Sequence, residues 1–165
     1  MSEDDLEVVW TDATERLRGD PAFGPLVDEV GPVRVRRPDP SHFRLLCRSI
    51  VYQQLAGKAA ETIHGRFEDV VGPEVTPGAV LDAPEEAVRG AGLSASKTKA
   101  VRDLAAKVAS GEVRLDGIEE MDDGAVADVL TRVWGVGAWT ADMFLLFQLR
   151  RPDVWPVGDL GVRNG

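Results

Sequence analysis

The sequence predicts an all-α protein with short connections. Apolar residues recur at helical spacing through most of the chain, and no segment has a convincing strand pattern. Stretches that contain Gly and Pro separate these periodic segments, as expected where helices end. With 165 residues, of which 44% are hydrophobic, the chain is long enough for one domain or for two small lobes.

The first forty residues are predicted to hold two helices, followed by a third. Residues 6–17 form the first helix, and residues 19–32 form a turn and a short second helix. Residues 33–40 are predicted to be extended because two prolines end this segment. Ser41 is placed to N-cap the third helix. The inward stripe of that helix is predicted to be Phe43, Leu46, Cys47 and Ile50.

Four more helices are predicted before the Gly-rich turn near residue 135. Their starts are predicted, in chain order, at Gly57, at Pro84, at Ser94 or Ser96, and at Asp122 or Asp123. Residues 72–78 are predicted to break the chain after the first of them. The inward stripes of the three longer helices are predicted to be Ala60, Ile63, Phe67 and Val70; Val101, Leu104 and Val108; and Val126, Val129, Leu130 and Val133.

The charge distribution leaves the question of a nucleic-acid partner open. A net charge of −9 argues against one, because a phosphate-binding surface is usually basic. However, residues 89–107 contain five Lys or Arg and one Asp, so a locally basic face is one interpretation of this segment. A solvated helix is the alternative. Lys97 and Lys99 are expected to be solvated, with a DNA-facing position as the alternative.

Composition excludes or disfavours several other classes of function. No apolar run approaches the roughly 20 residues of a membrane span, and the acidic start does not resemble a signal peptide, so a cytoplasmic protein is expected. Cys47 is the one cysteine, which excludes an intrachain disulfide and a cysteine-held iron–sulfur or zinc site. His42 and His64 have no metal-ligand spacing and are expected to be surface or helix-packing residues.

A Gly-Val-Gly turn lies between two predicted helices in the stretch VWGVGAWTADMFLLF, residues 133–147. One helix is predicted to end at Trp134, with Gly135 as its left-handed C-cap. Gly137 is then expected to let the chain turn back before a helix that begins near Ala138.

This turn predicts a binding site for an anion. The free N–H groups of the turn and of the following helix can hold a phosphate without any basic side chain. The carbonyls of Trp134 and Val136 could in addition hold a monovalent cation, Na⁺ or K⁺. A plain helical hairpin, in which glycine serves geometry alone, is the alternative.

A carboxylate follows the hairpin at Asp159, in the stretch RPDVWPVGDLGVR, residues 151–163. From the residues alone, Asp159 is predicted to N-cap a short helix that begins at Leu160. Asp153 is interpreted as part of a structural Pro-Asp turn. Arg163 could pair with Asp159 or with a phosphate, and a surface arginine is the alternative.

The hairpin and the segment around Asp159 together resemble the helix-hairpin-helix DNA glycosylase superfamily, specifically its 3-methyladenine DNA glycosylase II branch. Matching stretches are ERLRGDPAFGPLVDEVGP, LCRSIVYQQLAGKAAETIHGRF and GAGLSASKTKAVRDLA. The resemblance implies that residues 1–40 belong to a second lobe and residues 41–148 to a helical lobe that ends in the hairpin. Residues 149–165 would hold the catalytic loop and the start of a helix. Family members continue with further helices, so the second lobe is expected to be incomplete here.

The resemblance also implies roles for individual residues. Asp159 matches the catalytic carboxylate, whose charge would stabilise the positive sugar as the N-glycosidic bond breaks. Trp139 stands where bifunctional members carry a nucleophilic lysine, so hydrolysis without β-lyase activity is implied. Trp139, Tyr52 and Met143 are expected to border the flipped base. For Trp139, core packing is the alternative.

The loop YQQLAG matches the family's intercalating loop. Leu55 is expected to be the apolar wedge that replaces the flipped base, and Gln54 its polar neighbour facing the orphaned base. A buried leucine in a helix-joining loop is the alternative. The remaining DNA contacts are expected from Gly135, Val136, Gly137, Trp139 and Thr140.

The expected function is therefore that of a monofunctional DNA glycosylase in base excision repair. It would release alkylated purines, 3-methyladenine and 7-methylguanine, from double-stranded DNA, as a monomer. No cofactor is expected, apart from the Na⁺ or K⁺ ion that the hairpin could hold. Three alternatives stay open: a non-catalytic module that binds damaged DNA, a glycosylase for deaminated or oxidised bases, and an unrelated helical interaction domain.

Overall fold

The computed structural model describes residues 3–32 and 38–164, with side chains from residue 10 onward, and these residues form ten α-helices and no strand. The helices are α1 (Glu3–Arg18), α2 (Gly24–Val30), α3 (His42–Tyr52), α4 (Gly57–Val71), α5 (Pro77–Asp82), α6 (Glu85–Gly90), α7 (Ala95–Ser110), α8 (Asp123–Leu130), α9 (Ala138–Phe147) and α10 (Leu160–Asn164). A 3-10 turn, Ile118–Glu120, precedes α8. The all-α prediction is confirmed. Residues 33–37, part of the segment predicted to be extended, lie outside the described residues.

Side-chain caps begin several helices where the sequence predicted them. Oxygens of Ser41, Ser94 and Asp122 accept the N–H three residues later, at 3.2, 3.2 and 2.8 Å. Ser94 rather than Ser96 therefore begins α7, and Asp122 rather than Asp123 begins α8. Each cap satisfies one of the amides that a helix start leaves without a partner, which typically contributes about 1 kcal/mol.

Two predictions in the middle of the chain were wrong. Residues 72–78 do not only break the chain, because Thr76 caps a further short helix, α5, with Pro77 in its first position. Proline is tolerated there, where no amide is needed. In α4, Val71 is buried and Val70 is exposed. The buried stripe of α4 also includes His64 and follows the 3.6-residue period more closely than the predicted one.

Helix α8 ends at Leu130, four residues before the predicted end at Trp134. The carboxylate of Asp103, on α7, accepts the N–H of Trp134 at 2.7 Å, so this amide does not extend α8. The carbonyl of Leu130 instead accepts the N–H of Val133 at 3.1 Å, in the tighter turn common at helix ends. The predicted end was wrong because the residue that stops the helix lies 31 positions earlier in the chain.

A cluster of buried apolar side chains, from Phe43 to Leu145, holds α3 to α9 together. Helix α7 packs against α3, α5 and α6, while α9 packs against α8 and α1 against α2. Side chains such as Ile50, Phe67 and Leu104 are fully buried, and each contributes about 1.5–3 kcal/mol of transfer free energy. This packing places the end of α3 beside the starts of α7 and α9.

None of the helices in the described part of the chain combines the length and the apolar character needed to cross a bilayer.

Candidate active site

The two glycines of the hairpin, Gly135 and Gly137, differ in backbone conformation and in the space around them. Gly135 has a φ of +81°, and a Cβ there would lie 3.2 Å from Cβ of Ala100 on α7. Both the backbone conformation and the close approach of α7 therefore disfavour larger residues at this position. Gly137 has a φ of −103°, which any residue adopts, and a Cβ there would have no atom of the protein within 4 Å. The expectation that the turn needs glycine at position 137 is therefore wrong. The lack of a side chain at Gly137 instead leaves the surface at the start of α9 uncovered.

The hairpin presents a small group of unpaired amides beside Gly137. Helix α9 makes its first internal bond from Ala141 to the carbonyl of Gly137, at 3.1 Å. Among the described hydrogen bonds, none uses the amides of Gly137, Ala138 or Trp139. The amides of Trp134 and Val136, in contrast, bond within the protein. An anion would therefore find several available amides at the start of α9.

Two residues expected to contact DNA can do so only through their backbone. Val136 and Thr140 are both buried, with 5% and 3% of their surface exposed. The hydroxyl of Thr140 accepts a hydrogen bond from the side chain of Gln53, at 3.3 Å. Neither the carbonyl of Trp134 nor that of Val136 accepts a backbone hydrogen bond among the described residues. Both oxygens therefore remain available to a monovalent cation.

Asp159 N-caps α10 as predicted and is bound directly to the hairpin. Its Oδ1 accepts the N–H of Val162 at 3.0 Å, and its Oδ2 accepts the indole N–H of Trp139 at 2.7 Å. These bonds, the indole first, lower the pKa of the Asp159 carboxyl. The arrangement therefore presents an ionised carboxylate next to the start of α9.

Trp139 does not pack in the core. Its side chain is 40% exposed and borders a cavity of about 540 Å³ between α3 and α9. Tyr52 and Met143 line the same cavity, so the structure brings together the three residues expected to border a flipped base. Asp159 is not among the lining residues, and its connection to the cavity runs through Trp139. The cavity has the size and the mixture of aromatic and polar groups typical of a small-molecule or base pocket.

The loop between α3 and α4 exposes the two residues that the sequence analysis singled out. Leu55 is 38% exposed, so the alternative of a buried leucine is wrong. Gln54 is also exposed and has a φ of +57°, a left-handed conformation that few residues other than Gly and Asn adopt. The residue before them, Gln53, was not singled out from the sequence, although its side chain bonds to the hairpin.

Two arginines on α3 also line the cavity and were not predicted. Arg44 forms ion pairs with Glu68 at 2.8 Å and with Asp39 at 3.1 Å. The guanidinium of Arg48 lies 4.7 Å from the ring centre of Tyr52. Periodicity could place both residues on α3, but only the tertiary structure shows that this face of the helix borders the cavity.

The two lysines of α7 have different environments. Lys97 is not solvated as expected, because its amine donates to the carbonyl of Val51 at 2.7 Å, and the burial lowers its pKa. Lys99 is exposed, and its amine lies 4.3 Å from the ring centre of Trp134 in the hairpin. Of the two lysines, Lys99 is therefore the one whose amine is exposed beside the hairpin.

The histidines pack as expected. His42 contacts Gln148 through Nδ1 at 2.9 Å, and His64 is buried beside Tyr52 with its pKa lowered by desolvation. Over the described ranges, no three His, Cys, Asp or Glu side chains lie close enough together to hold a metal ion.

Comparisons with known proteins show the family of the chain. Residues 47–165 match the family described as the HhH-GPD superfamily of base excision DNA repair proteins. The chain is 36% identical over 123 residues to DNA-3-methyladenine glycosylase 1 of Schizosaccharomyces pombe, covering 73% of this chain and 54% of that protein. It is 32% identical over 134 residues to DNA-3-methyladenine glycosylase of Saccharomyces cerevisiae, covering 75% and 45%. The chain thus spans about half the length of these curated relatives.

A solved structure is similar over most of the chain. The Schizosaccharomyces pombe 3-methyladenine DNA glycosylase Mag1, in complex with abasic DNA, matches with a TM-score of 0.85 at 32% identity. The match covers 93% of this chain and 77% of that one. The structure of a DNA-3-methyladenine glycosidase from Bacillus halodurans matches with a TM-score of 0.73 at 38% identity, over 81% and 62%.

Proposed function

Because the chain belongs to the HhH-GPD superfamily of base excision DNA repair proteins, we propose that it is a monofunctional DNA glycosylase for alkylated purines. Its substrates would be 3-methyladenine first and 7-methylguanine next, in double-stranded DNA. The observation that carries the proposal is the 2.7 Å bond between Trp139 and Asp159, which joins an aromatic cavity wall to an ionised carboxylate. The names of the similar yeast proteins support the choice of substrate.

Binding would use the hairpin and the loop after α3. The amides of Gly137, Ala138 and Trp139 would hold a phosphate, where the helix dipole of α9 favours negative charge. Leu55 would fill the stack that the base leaves, with Gln54 facing the orphaned base. A monovalent cation at the carbonyls of Trp134 and Val136 would add positive charge beside the same phosphate. All of these groups come from one chain, so a monomer would suffice.

The chemistry would need one carboxylate. As the bond from C1′ to the base nitrogen breaks, positive charge builds on the sugar, and the Asp159 anion would stabilise it. The bonding electrons leave with the base, so a cationic alkylated purine departs as a neutral molecule. Water then adds to C1′ and loses a proton, which gives an abasic site. Trp139 has no amine to form a Schiff base, so the strand would stay intact.

The test measures base release and DNA binding separately, for the parent chain and for Asp159→Asn. Asparagine keeps an oxygen that can accept the indole N–H, so this variant removes the charge and leaves the contact. We expect the parent to release methylated purines and leave the strand uncleaved, and the variant to be slower by about 100-fold or more. Binding of both to an abasic duplex without any release would instead indicate a non-catalytic module. Release by the parent with full activity in Asp159→Asn would contradict the role of this carboxylate.

A further inference from the structure

Gln53 lies between the helix that lines the cavity and the loop that carries Leu55 and Gln54. From its contacts we infer that Gln53 is a positioning residue, which couples the wedge loop, residues 53–56, to the phosphate-binding hairpin. The inference rests on the proposed function for the meaning of wedge and hairpin. Its structural basis, however, is a set of contacts between three elements that meet at one point.

The amide of Gln53 donates to two groups of the hairpin. Its Nε2 lies 3.1 Å from the carbonyl oxygen of Gly135 and 3.3 Å from the hydroxyl of Thr140. One acceptor belongs to the turn and the other to the first turn of α9, on opposite sides of Gly137. The single side-chain amide therefore bridges the two halves of the hairpin and fixes both relative to the end of α3.

The backbone of Gln53 is held as firmly as its side chain. Its N–H donates to the carbonyl of Ile50 at 3.3 Å, and the preceding turn is held by Lys97, whose amine donates to the carbonyl of Val51 at 2.7 Å. Helix α7, which carries Lys97, also contacts the hairpin, because Asp103 accepts the N–H of Trp134 at 2.7 Å. Hydrogen bonds thus join the end of α3, helix α7 and the hairpin to one another.

Past Gln53, the loop has fewer constraints. Gln54 and Leu55 are exposed, and Gln54 has a left-handed conformation that is unfavourable for a residue with a side chain and that the surrounding structure must offset. Without the Gln53 amide, the loop would keep its anchor on α7 and lose its anchor on the hairpin. The amides of Gly137, Ala138 and Trp139 form the phosphate grip. A wedge that enters the base stack must lie at a fixed distance from this grip, because the DNA backbone fixes the spacing of the two contacts. Gln53 sets that distance.

The test uses Gln53→Met, which keeps the length of the side chain and removes its donors. Base release is compared on two duplexes. In the paired duplex the lesion faces a normal base, and in the gapped duplex it faces an abasic site, so that flipping the lesion out of the stack costs less. We expect kcat/KM to fall about tenfold or more on the paired duplex and less than about twofold on the gapped one. Equal losses on the two duplexes, or no loss on the paired one, would overturn the inference.

A matched variant separates positioning from stability. Gln148 also lines the cavity and also bridges two elements, since its amide lies 2.7 Å from the carbonyl of Asp39 and 2.9 Å from Nδ1 of His42. Gln148→Met should change kcat/KM for base release to the same extent on the two duplexes. If Gln53→Met proves unstable, Gln53→Glu is used, because its neutral acid retains one donor. The ratio of paired to gapped activity should then recover as the pH falls, and a ratio that does not change with pH contradicts the inference.

A second measurement does not depend on catalysis. A fluorescent base analogue is placed beside an abasic site, where insertion of the wedge unstacks it and raises its emission. Gln53→Met should bind this duplex but raise the emission less than the parent does, whereas equal emission would count against a coupling role. If the parent gives this signal and releases no base, the proposed function fails and the coupling by Gln53 stands.

Discussion

The hairpin and the segment that carries Asp159 are held in place in different ways. Val133, Val136 and Ala141 of the hairpin are buried, and its turn is bonded to α7 and to Gln53. Residues 152–159, which follow α9, are mostly exposed, with Trp155 at 73%, although Pro156 is buried. The side chain of Asp159 itself is joined to the rest of the protein by the indole of Trp139. The phosphate-binding turn is therefore anchored in the core, whereas one side-chain contact joins the carboxylate of Asp159 to the hairpin.

Trp139→Phe should give the largest effect among variants that leave Asp159 in place. Phenylalanine keeps an aromatic face at the cavity and removes the N–H that binds Oδ2. A lost hydrogen bond to a charged group predicts a fall of about tenfold or more in single-turnover base release. The indole bond lowers the pKa of Asp159, so its loss raises that pKa. The acid limb of the pH–rate profile should therefore move to higher pH.

Trp134→Phe is the matched control for this variant. Trp134 belongs to the same hairpin and is exposed to the same extent, 41% against 40% for Trp139, but its ring faces Lys99 instead of Asp159. It should leave the acid limb where it is. If Trp139→Phe also leaves the acid limb unchanged, Trp139 serves as a stacking surface alone, and the contrast between the two regions disappears.

Substitutions at the two hairpin glycines should separate binding from stability. Gly137→Ala adds a methyl group where the protein has no neighbour but a phosphate would approach, so affinity for abasic duplex should fall about tenfold with little change in melting temperature. Gly135→Ala would place a residue with a side chain at a positive φ and bring its methyl group against Ala100. It should therefore lower the free energy of unfolding by about 1–3 kcal/mol. Thermal unfolding and binding titrations check both. Equal affinity in Gly137→Ala and the parent would remove the argument for a phosphate at this turn.

Local features of the fold could be predicted from the sequence because neighbouring residues determine them. The caps at Ser41 and Asp122 and the start of α10 after Asp159 depend on residues within three positions. The family resemblance brought Trp139 and Asp159 into one site, but their direct bond spans 20 residues and needed the tertiary structure.

Contacts between distant segments account for what the sequence did not show. The bond from Gln53 to the hairpin spans 82 residues, and Lys97 reaches Val51 across 46. The predicted end of α8 failed for the same reason, since Asp103 acts from another helix. The difference between Gly135 and Gly137 also needed the structure, because the positive φ of Gly135 and its approach to Ala100 distinguish the two positions. The sequence therefore predicted residues that the structure brings together at one cavity, such as Trp139, Tyr52 and Met143, but did not predict the residues that hold them in place.

The smallest predicted effect concerns the charge beside the hairpin. Lys99→Gln removes an exposed amine whose position over the ring of Trp134 places it next to the phosphate grip. One lost phosphate contact should reduce the slope of log affinity against log salt by about 0.9 and weaken binding equally for all sequences. Arg89→Gln removes the same charge from α6, outside the hairpin, and should leave the slope unchanged. If both variants reduce the slope equally, the attraction is a property of the whole surface and the grip is less local than the hairpin geometry indicates. If only Lys99→Gln reduces the slope, this acidic protein attracts DNA at the hairpin through a few backbone amides and the amine of Lys99.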